Sequence, residues 1–259
     1  MRRALSHALA AVFLLAACDE PKKPVGAASA TASQAAAATP APAPSSSAEA
    51  PKKKPKREGP CPKDAELTVD DPVLERELRL QTGKEKGPIL RADLKKVKTL
   101  KLHDAKTNDE LDPCLYAELV SVKGLYLARG ALDDLTPLKG LTQLESLRIS
   151  GTQVKDLGPL SGLAKLDRLD AGKTPVSSLA PLEKLTSLTE LVLDETEVSD
   201  LSPLAKLEKL ESLSIKNTRV KDLSPLRGLK KLKMLYTAGS PIDSHGPVAS
   251  IPGIKIVRD

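Results

Sequence analysis

The chain repeats itself. Apolar residues Leu138, Leu141, Leu144, Leu147 and Ile149 return as Leu182, Leu185, Leu188, Leu191 and Leu193, then as Leu204, Leu207, Leu210, Leu213 and Ile215. Pro137, Pro159, Pro181, Pro203, Pro225 and Pro247 mark an interval of 22 residues each time. A fixed period in the twenties predicts a solenoid, because each unit has half a core until its neighbours stack on it. Toward the N-terminus Leu119, Val122, Leu125 and Leu127 keep the register without the proline. Leu94, Val97, Leu100 and Leu102 keep it once three extra residues are allowed before Leu125. Toward the C-terminus Ile251, Ile254 and Val257 carry it to the last residues, where the chain stops at Asp259 with no further domain expected. Within a unit, the leucines just ahead of Thr196 and Thr218 alternate as in a strand. Ser202-Pro203 and Ser224-Pro225 set a hydroxyl, read as a cap, before a proline at the first helical position.

The segment Leu144-x-x-Leu147-x-Ile149-x-x-Thr152-x-Val154 resembles a leucine-rich repeat with Thr in the usual Asn place. The 22-residue length and the Asp200-Leu201-Ser202-Pro203-Leu204 segment resemble the internalin-like class, over roughly residues 65 to 259. The resemblance implies an α/β solenoid with a parallel sheet on its concave face, short 3-10 turns on its convex face, and a helical N-terminal cap. It also implies that the Thr152, Thr174, Thr196, Thr218 and Ser240 column points inward and satisfies backbone groups, which a buried turn requires. The Asp134, Asp156, Asp200 and Asp222 column is expected to be structural, each carboxylate standing ahead of a helical turn where negative charge is favourable. Asp71-Pro72 starts a helix through Leu74, Leu78 and Leu80, expected to cover the first rung.

The N-terminus has a different logic. Arg2 and Arg3 precede an apolar run from Ala8 to Ala17, too short to span a bilayer but proportioned as a secretory signal. Leu15-Ala16-Ala17-Cys18 resembles a bacterial lipobox, which implies acylation at Cys18; an ordinary signal peptide followed by a cysteine is the alternative. Residues 19 to 60, mostly Ala, Pro, Ser and Lys, cannot bury enough apolar surface to fold and read as a tether. Four segments follow: 1–17 lipoprotein signal peptide, 18–60 lipidated Cys and tether, 61–93 N-terminal cap, and 94–259 solenoid. With Cys18 lipidated, Cys61 and Cys114 remain; an exported protein favours a disulfide pinning the cap over two unpaired buried thiols.

Composition narrows the function. The net charge of +6 belongs to the tail: residues 1–60 hold nine Lys/Arg against four Asp/Glu, and residues 61–259 hold 31 against 30. With four aromatics in all, that removes the case for a nucleic-acid surface. No glycine-rich phosphate loop, no metal-spaced His/Cys set and no nucleophile beside His103 is present, so neither an enzyme, a cofactor, a metal nor a small-molecule substrate is expected.

Adding 22 to the strand at 146–150 lists the residues facing out of the sheet. Neighbouring rungs lie about 4.8 Å apart, so Arg148–Asp170, Arg168–Glu190 and Asp194–Lys216 are expected to pair across rungs. Tyr236 and Met234, with Ile256 at the next step of 22, are expected to form an apolar cluster near the C-terminal end, either an interface or a cap. Candidate partner-binding residues are Tyr236, Met234, Tyr126, Val192, Arg148, Arg168, Asp170 and Asp194. The expected function is a lipid-anchored domain of the bacterial cell envelope, periplasmic or surface-exposed, that binds another protein through its concave face. An envelope role with a polysaccharide ligand is the alternative.

Overall fold

Each 22-residue unit folds by the same local rules, repeated. In the computed structural model, which describes residue 61, residues 65–103 and residues 109–259, the apolar offsets become strands. These are β3 (Thr99–Leu102), β4 (Gly124–Leu127), β5 (Ser146–Arg148), β6 (Arg168–Asp170), β7 (Glu190–Val192), β8 (Ser212–Ser214), β9 (Met234–Tyr236) and β10 (Lys255–Val257). They form one eight-stranded parallel sheet in sequence order. Leu125, Leu147, Leu169, Leu191, Leu213 and Leu235 align across it and are at most 1% exposed, so every rung closes its neighbour's core. The three extra residues before Leu125 are real, since Leu100 pairs with Leu125.

On the far side of the core each unit makes one short 3-10 turn: Thr136–Leu138, Gly158–Leu160, Ala180–Leu182, Ser202–Leu204 and Ser224–Gly228. The expected serine cap is corrected here. Ser202 and Ser224 are the first residues of their turns. The cap is the aspartate two residues earlier: Asp134, Asp156, Asp200 and Asp222 accept the N–H of Thr136, Gly158, Ser202 and Ser224 at 2.7–2.8 Å. Ser178 takes the place at 3.4 Å from the Ala180 N–H. The hydroxyl of Ser202, then its N–H, holds the Asp200 carboxyl below its ordinary value.

The threonine column lies inward as expected. Thr152, Thr174, Thr196 and Thr218 donate to the carbonyl three residues back (Ile149, Ala171, Leu193 and Ile215) at 2.6–2.9 Å. Ser240 departs from the column: its hydroxyl reaches back a whole rung to the Ile215 carbonyl at 2.6 Å. Between strand and threonine the chain turns through left-handed backbone at Gly151, Lys173, Glu195, Asn217 and Gly239. At Gly239 the left-handed backbone (φ 70°) and the Asn217 amide oxygen standing where a side chain would go both favour glycine.

The first rung is covered by non-repeating structure. Helix α1 (Pro72–Thr82) is capped by Asp71, which accepts the N–H groups of Val73 and Leu74. Leu78 is fully buried and Leu74 half-buried against the core, but Leu80 is 67% exposed. Two positions beyond Leu78 on a helix is the opposite face, so Leu80 does not belong to the cap's contact. A short antiparallel pair, β1 (Glu66–Leu67) with β2 (Ile89–Leu90), flanks the helix. Asp93 ties this region together: Lys84 Nζ lies 2.6 Å away and the Leu90 N–H 3.0 Å away, which holds its carboxyl at about 2. Cys114, on the short helix α2 (Pro113–Tyr116), is bonded to Cys61 with an S–S distance of 2.06 Å.

The last rung is one residue short. Lys255, Ile256 and Val257 pair with Met234, Leu235 and Tyr236, an interval of 21. A one-residue shift exchanges the faces of a strand. Ile256 therefore lies in the core-facing column behind Leu235, against the expectation that it would join Met234. In place of the 3-10 turn stands a short helix, α3 (Gly246–Ala249), preceded by His245, whose Nε2 is 3.2 Å from Thr237 Oγ1. Burial, then the charge of Arg258, lowers the His245 pKa.

Candidate functional site

The side chains that alternate with the core leucines form the outer face of the sheet, and the parallel register fixes their order. Gly124, Ser146, Arg168, Glu190, Ser212 and Met234 make one row; Tyr126, Arg148, Asp170, Val192, Ser214 and Tyr236 make the next. The structure extends them by Thr99 and Lys101 at one end and Lys255 and Val257 at the other. All eight candidate binding residues thus have defined places: seven on these rows and Asp194 just past the end of β7.

Two of the three expected ion pairs form. Arg148 Nε lies 3.1 Å from Asp170, and Lys216 Nζ lies 3.1 Å from Asp194. Both carboxylates also accept backbone N–H groups, Asp170 from Gly172 at 3.1 Å and Asp194 from Lys216 at 2.9 Å. Ser214 Oγ donates to Asp194 as well. These acids are bound into the rungs more than they are offered to a ligand. The third pair does not form: Arg168 stands opposite Glu190 in the register but turns to Asp167 of its own rung at 3.4 Å.

The ends of the face are less polar. Tyr236, half-buried, lies under the Lys216 ammonium at 5.8 Å from its ring centroid, a cation–π distance. Met234 is on the same strand and Val257 lies beside Tyr236 on β10, while the place next to Met234 expected for Ile256 is taken by Lys255. At the other end Tyr126 donates to Ser146 Oγ at 3.2 Å and faces the His103 ring at 6.2 Å. Lys216, His103 and Val257 are contacts that the sequence reading missed. A tally of rows shows Lys216 against Tyr236 only diagonally. Val257 was hidden because Ile254, Ile256 and Val257 make an apolar rung in either register.

Among the described residues no group of three or more His, Cys, Asp or Glu is placed to hold a metal ion, and no helix is long and apolar enough to cross a membrane. Cys18 and the expected signal peptide and tether lie outside the described residues.

No protein-family model and no curated protein matches the chain. Solved structures do. Internalin C2 from Listeria monocytogenes is 26% identical with a TM-score of 0.60, the match covering 73% of this chain and 93% of that one. An internalin (inlF) from the same strain is 24% identical with a TM-score of 0.61, the match covering 73% of this chain and 62% of that one. The stacked parallel strands, the 3-10 turns opposite them and these likenesses agree: the chain is a leucine-rich-repeat solenoid, similar in fold to the internalins.

Proposed function

We propose that the chain is a lipid-anchored module of the bacterial envelope that binds another protein through the concave face of its sheet. The observation that carries this reading is the outer face itself. Over eight strands it presents a continuous double row of side chains, whose charges largely neutralise one another and whose apolar members gather beside β9 and β10. Solenoids use such surfaces for extended recognition. An exposed ion pair contributes about 0–1 kcal/mol, whereas large side chains in a desolvated patch carry most of an interface's energy. The binding centre is therefore Tyr236 with Met234, supported by Val257 and, farther along, Val192 and Tyr126. Arg148, Arg168, Asp170 and Asp194 form its polar surround.

The test is photocrosslinking in the native envelope, with a crosslinking residue substituted at Tyr236 and, as control, at Lys139 on the convex turn. One protein adduct from position 236 and none from 139 is expected. Tyr236→Ala then weakens binding to that partner by about 2 kcal/mol or more, and Arg148→Ala by less than about 1 kcal/mol. If Tyr236→Ala unfolds the domain instead, the cluster is an end cap and the site lies elsewhere. The anchor has its own check: Cys18→Ser leaves an unprocessed or soluble precursor, and a lipid-bearing mass after that substitution would refute it.

A further inference from the structure

Charge is not spread evenly along the solenoid. Residues 109–199 hold nine Lys/Arg against fifteen Asp/Glu, whereas residues 200–259 hold eleven against six. In the acidic stretch and at its border, cations on neighbouring rungs meet acids: Lys123 with Glu145, Arg148 with Asp170, Lys173 with Glu195. On the last rungs Lys233 still meets Glu211, but other cations of that flank, where the chain returns from the 3-10 turn to the strand, have no such partner among the described residues. Lys209 and Lys231 occupy the same position one repeat apart, so two ammonium groups stand on adjacent rungs. Arg227 and Lys230 lie on the same stretch as Lys231, and the exposed Glu208 is the acid among them. None of the four cations makes an ion pair among the described residues, and all four are exposed. The nearby Glu211 is already taken by Lys233 at 2.6 Å.

We propose that this flank docks on an anionic lipid bilayer. The patch offers a protein partner nothing to anchor on: Leu207, Leu210, Leu226, Leu229 and Leu232 beneath it are all 0% exposed. Three of its four cations are lysines, point charges suited to a diffuse field and not to the bidentate grip of one carboxylate. Lysines near an anionic membrane surface each raise the affinity about fivefold. The flank borders the sheet without covering it, so docking there leaves the outer face open. The inference rests on these charges alone and stands or falls apart from the protein-binding reading.

The experiment uses the full chain carrying Cys18→Ser, so that no acyl chain contributes. Binding is measured to phosphatidylcholine vesicles with and without about one-third phosphatidylglycerol. Lys230→Gln/Lys231→Gln is compared with Lys139→Gln/Lys155→Gln, which removes the same charge from exposed positions elsewhere. The first pair is expected to lower affinity for the anionic vesicles about 25-fold and the second to leave it within about twofold. Salt near 1 M, where the Debye length is about 3 Å, should abolish the difference. Equal losses in both pairs would reduce the effect to net charge and overturn the proposal. So would vesicle binding unchanged by the first pair, including the case where that pair loses only binding to soluble polyglutamate, which would point to an acidic protein instead.

Discussion

The rungs between Leu138 and Thr218 and the segment between Cys61 and Lys123 solve the same problem by opposite means. In the rungs, burial is shared: each leucine closes its own unit and the next, each aspartate caps the same turn, and each threonine ties the same carbonyl. The N-terminal segment has no preceding rung to lean on and holds itself with single-use devices. These are a helix capped by Asp71, an aspartate braced by Lys84 and Lys96, and a disulfide to α2. Redundancy protects the middle, and specific bonds protect the end.

The largest expected effect breaks the middle. Leu191→Ala removes a fully buried side chain from β7 and should cost about 2–5 kcal/mol in chemical denaturation. Because the cavity opens toward both neighbouring rungs, Ile256→Ala in the half-buried last strand should cost clearly less; equal losses would show that the end rung is as tightly coupled as the middle.

Next comes the disulfide. Cys61→Ser closes no loop where the native chain closes one of 53 residues, and should cost about 2–4 kcal/mol. Proteolysis and hydrogen exchange should report the loss first in α1 and α2, leaving β6 to β8 protected. Uniform loss along the chain would erase the distinction between end and middle.

The smallest effect is a matter of pH. Asp93 is held at about 2, first by Lys84, then by the Leu90 N–H, against an ordinary value near 4. A carboxyl lowered by folding stabilises the fold above its unfolded pKa. That contribution fades as acid brings the pH from about 4 down through about 2. Asp93→Asn should flatten the stability profile of the N-terminal segment in this window; an unchanged slope would assign acid sensitivity to other carboxylates.

The same contrast explains what could be read in advance. Periodic residues are interpreted many times over, so the core leucines, the threonine column, the rows of the outer face and even the three-residue excess before Leu125 follow from spacing. Single events do not average. Leu80 was expected in the cap because apolarity alone says nothing of which side of a helix a residue takes. The serine cap was a choice between two oxygen-bearing residues two positions apart, settled by which one stands outside the turn. Ile256 failed because a rung with three apolar residues among its last six permits two registers. Arg168 failed because opposition in a register fixes where a backbone lies, while a long exposed side chain chooses among several acids.

The constant interval between β4 and β9 also makes the length of the outer face a quantity that can change in whole steps. Excising any 22 consecutive residues there joins like to like: a strand still meets a strand, a left-handed residue still precedes a threonine, and an aspartate still precedes a turn. Unequal recombination between the repeats of the gene would thus shorten or lengthen the face by about 4.8 Å per event without inventing a new junction. A change of one residue enjoys no such licence within the array, since it would turn a rung's core side chains outward. The 21-residue step to β10 occurs where no described strand follows to inherit the error.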